Sequence, residues 1–295
     1  MADEQETAPH PEATAATCDA AWKTGVHLRG VERCWIEVKG EDAAAHLQAM
    51  CTQDLGGQGA GETRFAALAA DRGRYLADFW VIRIGDEWRL DIAAGLAGNL
   101  VKRLNMYAVS ADAELRDLAE TCVLHHLEGP VAETVFAAWA GGVAPRPAAG
   151  RVAWGAEQIE YCRRSHFGEP GYTVLVPRAL GTKFETGFSD LCGEHGVIEA
   201  GAAEAESLRV QAGRPLGGVD MCGDDLLQET GLLAAVSLTK GCYPGQEMLQ
   251  RISKQGKVRK RLTGLRVKGI LSGEPLAGVP VLGPGGDEVG YITSE

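Results

Sequence analysis

No stretch of this 295-residue chain approaches the roughly 18 to 20 apolar residues that a bilayer-crossing helix needs. Its opening, MADEQETAPHPEATAAT, lacks the basic and then apolar regions of a secretory signal. Positive charge is not in excess: 29 Lys and Arg against 40 Asp and Glu leave −11. Any nucleic-acid contact would therefore need a local basic patch. None of the eight cysteines pairs in C-x-x-C or a similarly tight spacing, which argues against a zinc ribbon or a conventional ferredoxin cluster. Without an export signal these thiols read as reduced, most of them small buried apolar groups. No Ser-His-Asp order, phosphate loop or G-x-G-x-x-G pattern is present. His125, His126 and His166 have no carboxylate or Cys companion at close spacing, so they read as structural and no metal set is assigned. The expectation is a cytoplasmic protein with no membrane partner.

At 45% hydrophobic and 23% charged, the composition is that of a globular protein long enough for one large or several small domains. Residues 1–19, rich in Ala, Thr, Glu and Pro, read as a disordered tail. A strand around Trp35 and Glu37 ends at Gly40, and 41–49 reads as a helix with Ala43, Ala44, Leu47 and Met50 on one face. Strands follow at 64–70 and 75–84, then the turn Gly85-Asp86 into a strand at 88–92. Leu96, Leu100 and Leu104 mark a helix over 93–107. From about residue 118 a similar order of strands and helices runs to 212, ended by Gly213. This gives an α+β core over 20–252, with subdomains at about 20–117 and 118–252. After about 253 the texture changes to short β segments at 261–267, 279–282 and 289–293, as in a small barrel.

The sharpest local feature is Thr239-Lys240-Gly241-Cys242-Tyr243-Pro244-Gly245-Gln246-Glu247. Its second half is helical in character, with Pro244 suited to a first turn. Cys242 would then precede a helix N-terminus with Lys240 two residues away, and both features favour a thiolate. A cysteine that merely packs in a turn is the alternative. Between Arg251 and Lys268 lie eight basic residues with no acid among them. That stripe could attract a polyglutamate tail, an RNA backbone or an acidic partner, and a solvated helix end and strand is the plainer reading.

Lys240 to Glu247 resembles the K-G-C-Y-x-G-Q-E signature of the YgfZ family, relatives of the folate-dependent T-protein (GcvT) of the glycine cleavage system. The likeness extends to His46-Leu47-Gln48 through Cys51-Thr52-Gln53-Asp54, to Gly73-Arg74-Tyr75-Leu76-Ala77-Asp78, and to His166-Phe167-Gly168-Glu169-Pro170-Gly171-Tyr172. It includes Arg209 to Gly213 with Pro215 and Asp220, and covers roughly residues 21–295. Departures include His46 for Phe, Gln53 for Asn, and Leu227 where Pro is frequent.

The resemblance implies an aminomethyltransferase-like fold of three subdomains around a folate cavity, with a C-terminal β-barrel. The barrel over 253–295 would be partial, since the sequence ends one or more strands before its relatives do. Tetrahydrofolate is the implied cofactor. Glu169 is its pteridine anchor, because one carboxylate can accept two adjacent N–H donors. Tyr172, Arg209, Gln246 and Glu247 are further binding candidates. Asp78 occupies the strand position where aminomethyltransferases carry paired aspartates, the first of which is Ala77 here. The function implied is a folate-binding factor for assembly or repair of [4Fe–4S] enzymes, including tRNA-modifying ones. Its partners would be those enzymes or assembly proteins. Cys242 would be its working thiol and Lys240 the neighbouring cation, with any cluster shared. The alternative is a folate-dependent aminomethyltransferase or demethylase, with Asp78 as acid or base.

Overall fold

A computed structural model describes residues 15–167, 170–256, 258–268 and 276–295. The expected tail is corrected at its end, because Ala15–Lys23 forms a helix, α1, that buries Cys18 and Ala21 beside Leu208. Residues 1–14 lie outside the described residues. No helix among the described residues is long and apolar enough to cross a membrane.

After α1 comes β1 (Val26–Leu28), and a first sheet is then built from β2 (Arg33–Lys39), β3 (Thr63–Ala69), β4 (Tyr75–Ile84), β5 (Glu87–Ala93) and β6 (Glu114–Asp117). Its order is β3-β4-β5-β2-β6, antiparallel throughout. Successive side chains of a strand point to opposite faces. Ala77, Phe79 and Val81 of β4 therefore face α2 (Ala43–Met50) and α3 (Ala94–Met106), packing with Leu47, Leu100 and Leu104. Asp78, Trp80, Ile82 and Ile84 take the inner face. Slipping the register by one residue would exchange the two sets, so burial fixes which side the charges occupy.

The second sheet joins β1 to β7 (Cys122–Glu128), β8 (Ala149–Trp154), β9 (Glu157–Arg163), β10 (Gly171–Pro177) and β11 (Ile198–Ala200). Its order is β11-β1-β7-β10-β9-β8, with β1 and β11 parallel. Because β1 pairs with β7 and β11, residues 26–28 belong to this sheet and not to the 20–117 unit expected from order along the chain. Helices α4 (Ala132–Trp139) and α5 (Gly181–Glu194) cover its outer face through Phe136, Phe184 and Phe188. The inner faces meet where Trp35, Ile82 and Ile84 pack on Ala149, Cys162 and Leu175. A buried ion network also bridges them: Arg89 of β5 gives two hydrogen bonds of 2.9 Å to Glu160 of β9.

A third layer closes one end of the first sheet. It holds α7 (Gln246–Gln255) and buries Met221, Leu227, Ala235, Tyr243 and Leu249 against Ala67, Ala69 and Tyr75, while α6 (Ala202–Gln211) packs on α1 and β1 through Leu208. Helix α7 starts after Gly245, whose φ of 81° suits glycine, so Pro244 precedes the helix instead of opening it. Of the expected barrel, the described residues show a two-stranded ribbon, β12 (Pro280–Leu282) and β13 (Glu288–Tyr291). The predicted strand at 261–267 has no ladder. The ribbon's end is tied to the third layer by Thr293 and Ser294, whose hydroxyls donate to Asp220 at 2.5 and 2.6 Å.

Candidate functional site

The inner faces of the two sheets gather a cluster of buried polar groups. Asp91 of β5 is fully buried and accepts Arg33 Nε of β2 at 2.7 Å. Arg164, just past β9, reaches the other oxygen of Asp91 and lies 5.3 Å above the Trp80 ring. Asp78 accepts the Tyr75 hydroxyl at 2.5 Å. Burial raises the Asp78 carboxyl above the usual range, while the Tyr75 bond and the charges of Arg33 and Arg164 act against the rise. Burial likewise pushes the Tyr75 phenol far up and brings Arg33 down to about 10. A protonatable carboxyl in such surroundings is the group expected of an acid–base site.

The opposite wall comes from β7 and β10. Glu128 is fully buried and accepts the His166 N–H at 2.8 Å and the Ser165 hydroxyl at 2.8 Å, and burial raises it to about 7. These bonds pin the loop after β9 to the end of β7. His126 Nδ1 lies 2.8 Å from His166 Nε2 and 3.0 Å from the Thr173 hydroxyl. Burial pushes both imidazoles well below their ordinary range, so they are neutral. Two buried atoms of this cluster, His126 Nε2 and Arg164 Nε, have no hydrogen-bond partner among the described residues. Buried polar atoms are normally satisfied, so a cluster holding two open ones suits a polar ligand.

Behind Tyr75, a cavity of about 470 Å³ is lined by Leu76, Leu96, Leu100 and Met221, with Lys102 and Arg103 also lining it. Gly217 closes in on this corner. A Cβ there would stand 2.1 Å from the Tyr75 hydroxyl and 2.8 Å from Asp78, so only glycine admits the contact.

Of the residues singled out in the sequence, Asp78 lies in this cluster and six other described ones do not. Tyr172 is corrected: it faces the helices and stacks on Phe136 at 3.9 Å between ring centroids. Its neighbour Thr173 takes the inner face, since adjacent strand residues point oppositely. The Arg209 guanidinium is held by Glu206 and Asp220 at 2.8 Å each and braces the end of α6, outside this cluster. Lys240 does not flank the Cys242 thiol. Its ammonium donates to the carbonyls of Gln48, Cys51 (2.7 Å) and Gln53 (2.9 Å), capping the C-terminus of α2 with all three of its protons. Gln246 closes the signature loop on itself, through Nε2 to the Lys240 carbonyl at 3.1 Å. Glu169 lies outside the described residues; its neighbours His166 and Pro170 are held to Glu128 and to the Gly129 N–H.

Cys242 is exposed and lines a separate cleft of about 440 Å³ with Arg72, Glu247, Met248 and Arg251. Lys240→Met is expected to cost roughly 2–4 kcal/mol in urea unfolding, since three carbonyls lose a charged donor. Cys242→Ser should stay within about 0.5 kcal/mol of wild type.

Arg33, Asp91, Glu128, His126 and Arg164 were not singled out as site residues. The available signal was charge at inner-face positions of otherwise apolar strands, as at Asp91 between Leu90 and Ile92.

One antiparallel and one mixed sheet packed face to face over a buried acid, with a third layer across one end, define an α+β fold. The chain belongs to the GCVT N-terminal domain family, whose model matches residues 26–240. It is 31% identical to an aminomethyltransferase of Thermus thermophilus over 273 residues, covering 87% of this chain and 71% of that protein. It is 28% identical over 266 residues to an aminomethyltransferase of Rubrobacter xylanophilus, covering 88% and 68%. In structure it is similar to the glycine cleavage system aminomethyltransferase T from Bartonella henselae, with a TM-score of 0.78 at 21% identity. That match covers 95% of this chain and 76% of the other, and it shows the fold.

Proposed function

We propose that the chain binds a reduced folate beside Asp78 and acts in one-carbon transfer of the aminomethyltransferase kind. The observation that carries this reading is Asp78, a buried carboxyl held toward its protonated form and bonded to Tyr75. The names of the two relatives support it. The residues around Asp78 suit a polar ring, since His126 Nε2 and Arg164 Nε are buried there without a hydrogen-bond partner among the described residues. Glu169 remains the proposed pterin anchor. When bound, the folate would supply the one-carbon carrier. Asp78 would hold or release one proton at a carboxyl oxygen as charge changes beside it, and Tyr75, donating to Oδ1, would orient it.

A second reading is favoured by the position of Cys242, exposed in its own cleft away from Asp78. Here the chain binds folate without turnover and supports iron–sulfur enzymes through the loop resembling the YgfZ signature. The test is formation of labelled methylene-tetrahydrofolate from an amine donor, run beside complementation of a strain lacking its own YgfZ-like factor. Turnover by wild type and Cys242→Ala alike upholds the first reading. No turnover, with rescue of [4Fe–4S] enzyme activity by wild type but not Cys242→Ala, establishes the second.

A further inference from the structure

Two guanidinium groups buried near one carboxyl would ordinarily hold that carboxyl ionised. Opposite charges within about 4–6 Å lower a carboxyl by roughly 1–3 pH units. Arg33 and Arg164 both act on Asp78, yet its carboxyl is raised and its direct hydrogen-bond donor is Tyr75. Burial accounts for the rise, and the geometry around Asp91 shows where the hydrogen bonds of both guanidiniums go instead. Arg33 gives Nε to Asp91 Oδ1 at 2.7 Å and a terminal nitrogen to the Asp91 carbonyl at 3.0 Å. Arg164 gives its own terminal nitrogen to Oδ2. Asp91, with no exposed surface, thus takes one guanidinium on each carboxylate oxygen and fixes the direction of both.

We infer that Asp91 is a positioning residue that turns Arg33 and Arg164 away from Asp78, leaving Asp78 able to carry a proton instead of standing as a fixed anion. This rests on the reading of Asp78 as the working acid, although its test needs no folate. Asp78 is faced by Tyr75 on its own strand, by Arg33 from β2, by Arg164 from the loop after β9, and by Gly217 and Leu96 from the third layer and α3. Around the two arginines stand neutral His126 and His166, together with Glu128 and Arg214. Among these groups Asp91 is the carboxylate hydrogen-bonded to both arginines.

The test is the titration of Asp78 in the full chain, read by carbon-13 NMR of labelled aspartate carboxyls and assigned with Asp78→Asn. In Asp91→Asn the two released guanidiniums should lower the Asp78 midpoint by about one pH unit or more. Should that variant fail to fold, Asp91→Asn with Arg164→Gln removes two buried charges together. The freed Arg33 should again lower the midpoint. A midpoint unchanged or raised in a folded variant overturns the inference. A purely structural brace would lower the melting temperature and leave the midpoint in place.

Discussion

Asp78→Asn is expected to lower methylene-tetrahydrofolate formation by about 10²–10⁴-fold while the protein stays folded. Asparagine keeps the shape of the side chain and can still accept the Tyr75 hydroxyl, now 2.5 Å from Oδ1. It cannot give or take the proton. Binding of a reduced folate should change far less than turnover, because the pterin anchor and the cavity walls are untouched. An unchanged rate in Asp78→Asn would make this aspartate a structural partner of Tyr75 and advance the reading without turnover.

Glu128→Gln should change the pH dependence of stability. Desolvation raises Glu128 from 4.5 to about 7 in the folded chain, outweighing the His166, Ser165 and Phe167 bonds that favour its ionised form. Below pH 4.5 the group is protonated in both states, and its contribution is fully present. Between pH 4.5 and 7 the unfolded chain ionises freely and the native one does not, so stability falls as pH rises. The loss is about 1.4 kcal/mol per pH unit, or roughly 3 kcal/mol across the window. His126 and His166, pushed down by burial, act in the opposite sense as pH falls below their ordinary range. The difference between wild type and Glu128→Gln cancels them. Urea unfolding at several pH values should show that difference moving in favour of Gln up to about pH 7 and levelling above it. A flat difference would contradict the burial argument.

Local pattern made part of this legible from sequence. The apolar, aromatic- and β-branched-rich run from Tyr75 to Ile84 and the Gly85-Asp86 turn gave β4 and its hairpin, because strand preference and turn chemistry act over a few residues. Asp78 followed from its motif. The path of β1 into the second sheet did not, since its parallel partner β11 lies more than 150 residues away. The charged cluster was hidden for the same reason: Arg33 and Asp91 are 58 positions apart, and Arg164 and Asp91 are 73. Tyr172 shows a subtler limit. Its motif identified the right strand, yet one residue's difference in parity put the ring on the helical side and Thr173 at the site. Lys240 was read by its nearness in sequence to Cys242, whereas its ammonium is drawn to the carbonyl end of α2.

Calorimetric titration of wild type with 5-formyl-tetrahydrofolate tests the central claim most directly, run beside Glu169→Ala and Cys242→Ala. The account predicts saturable binding at one site per chain, weakened about tenfold or more by Glu169→Ala as a charged double hydrogen bond is lost, and unchanged in Cys242→Ala. Absence of binding to the folded wild type would contradict it. Binding that survives Glu169→Ala but vanishes with Cys242→Ala would contradict it equally, by moving the ligand to the other cleft.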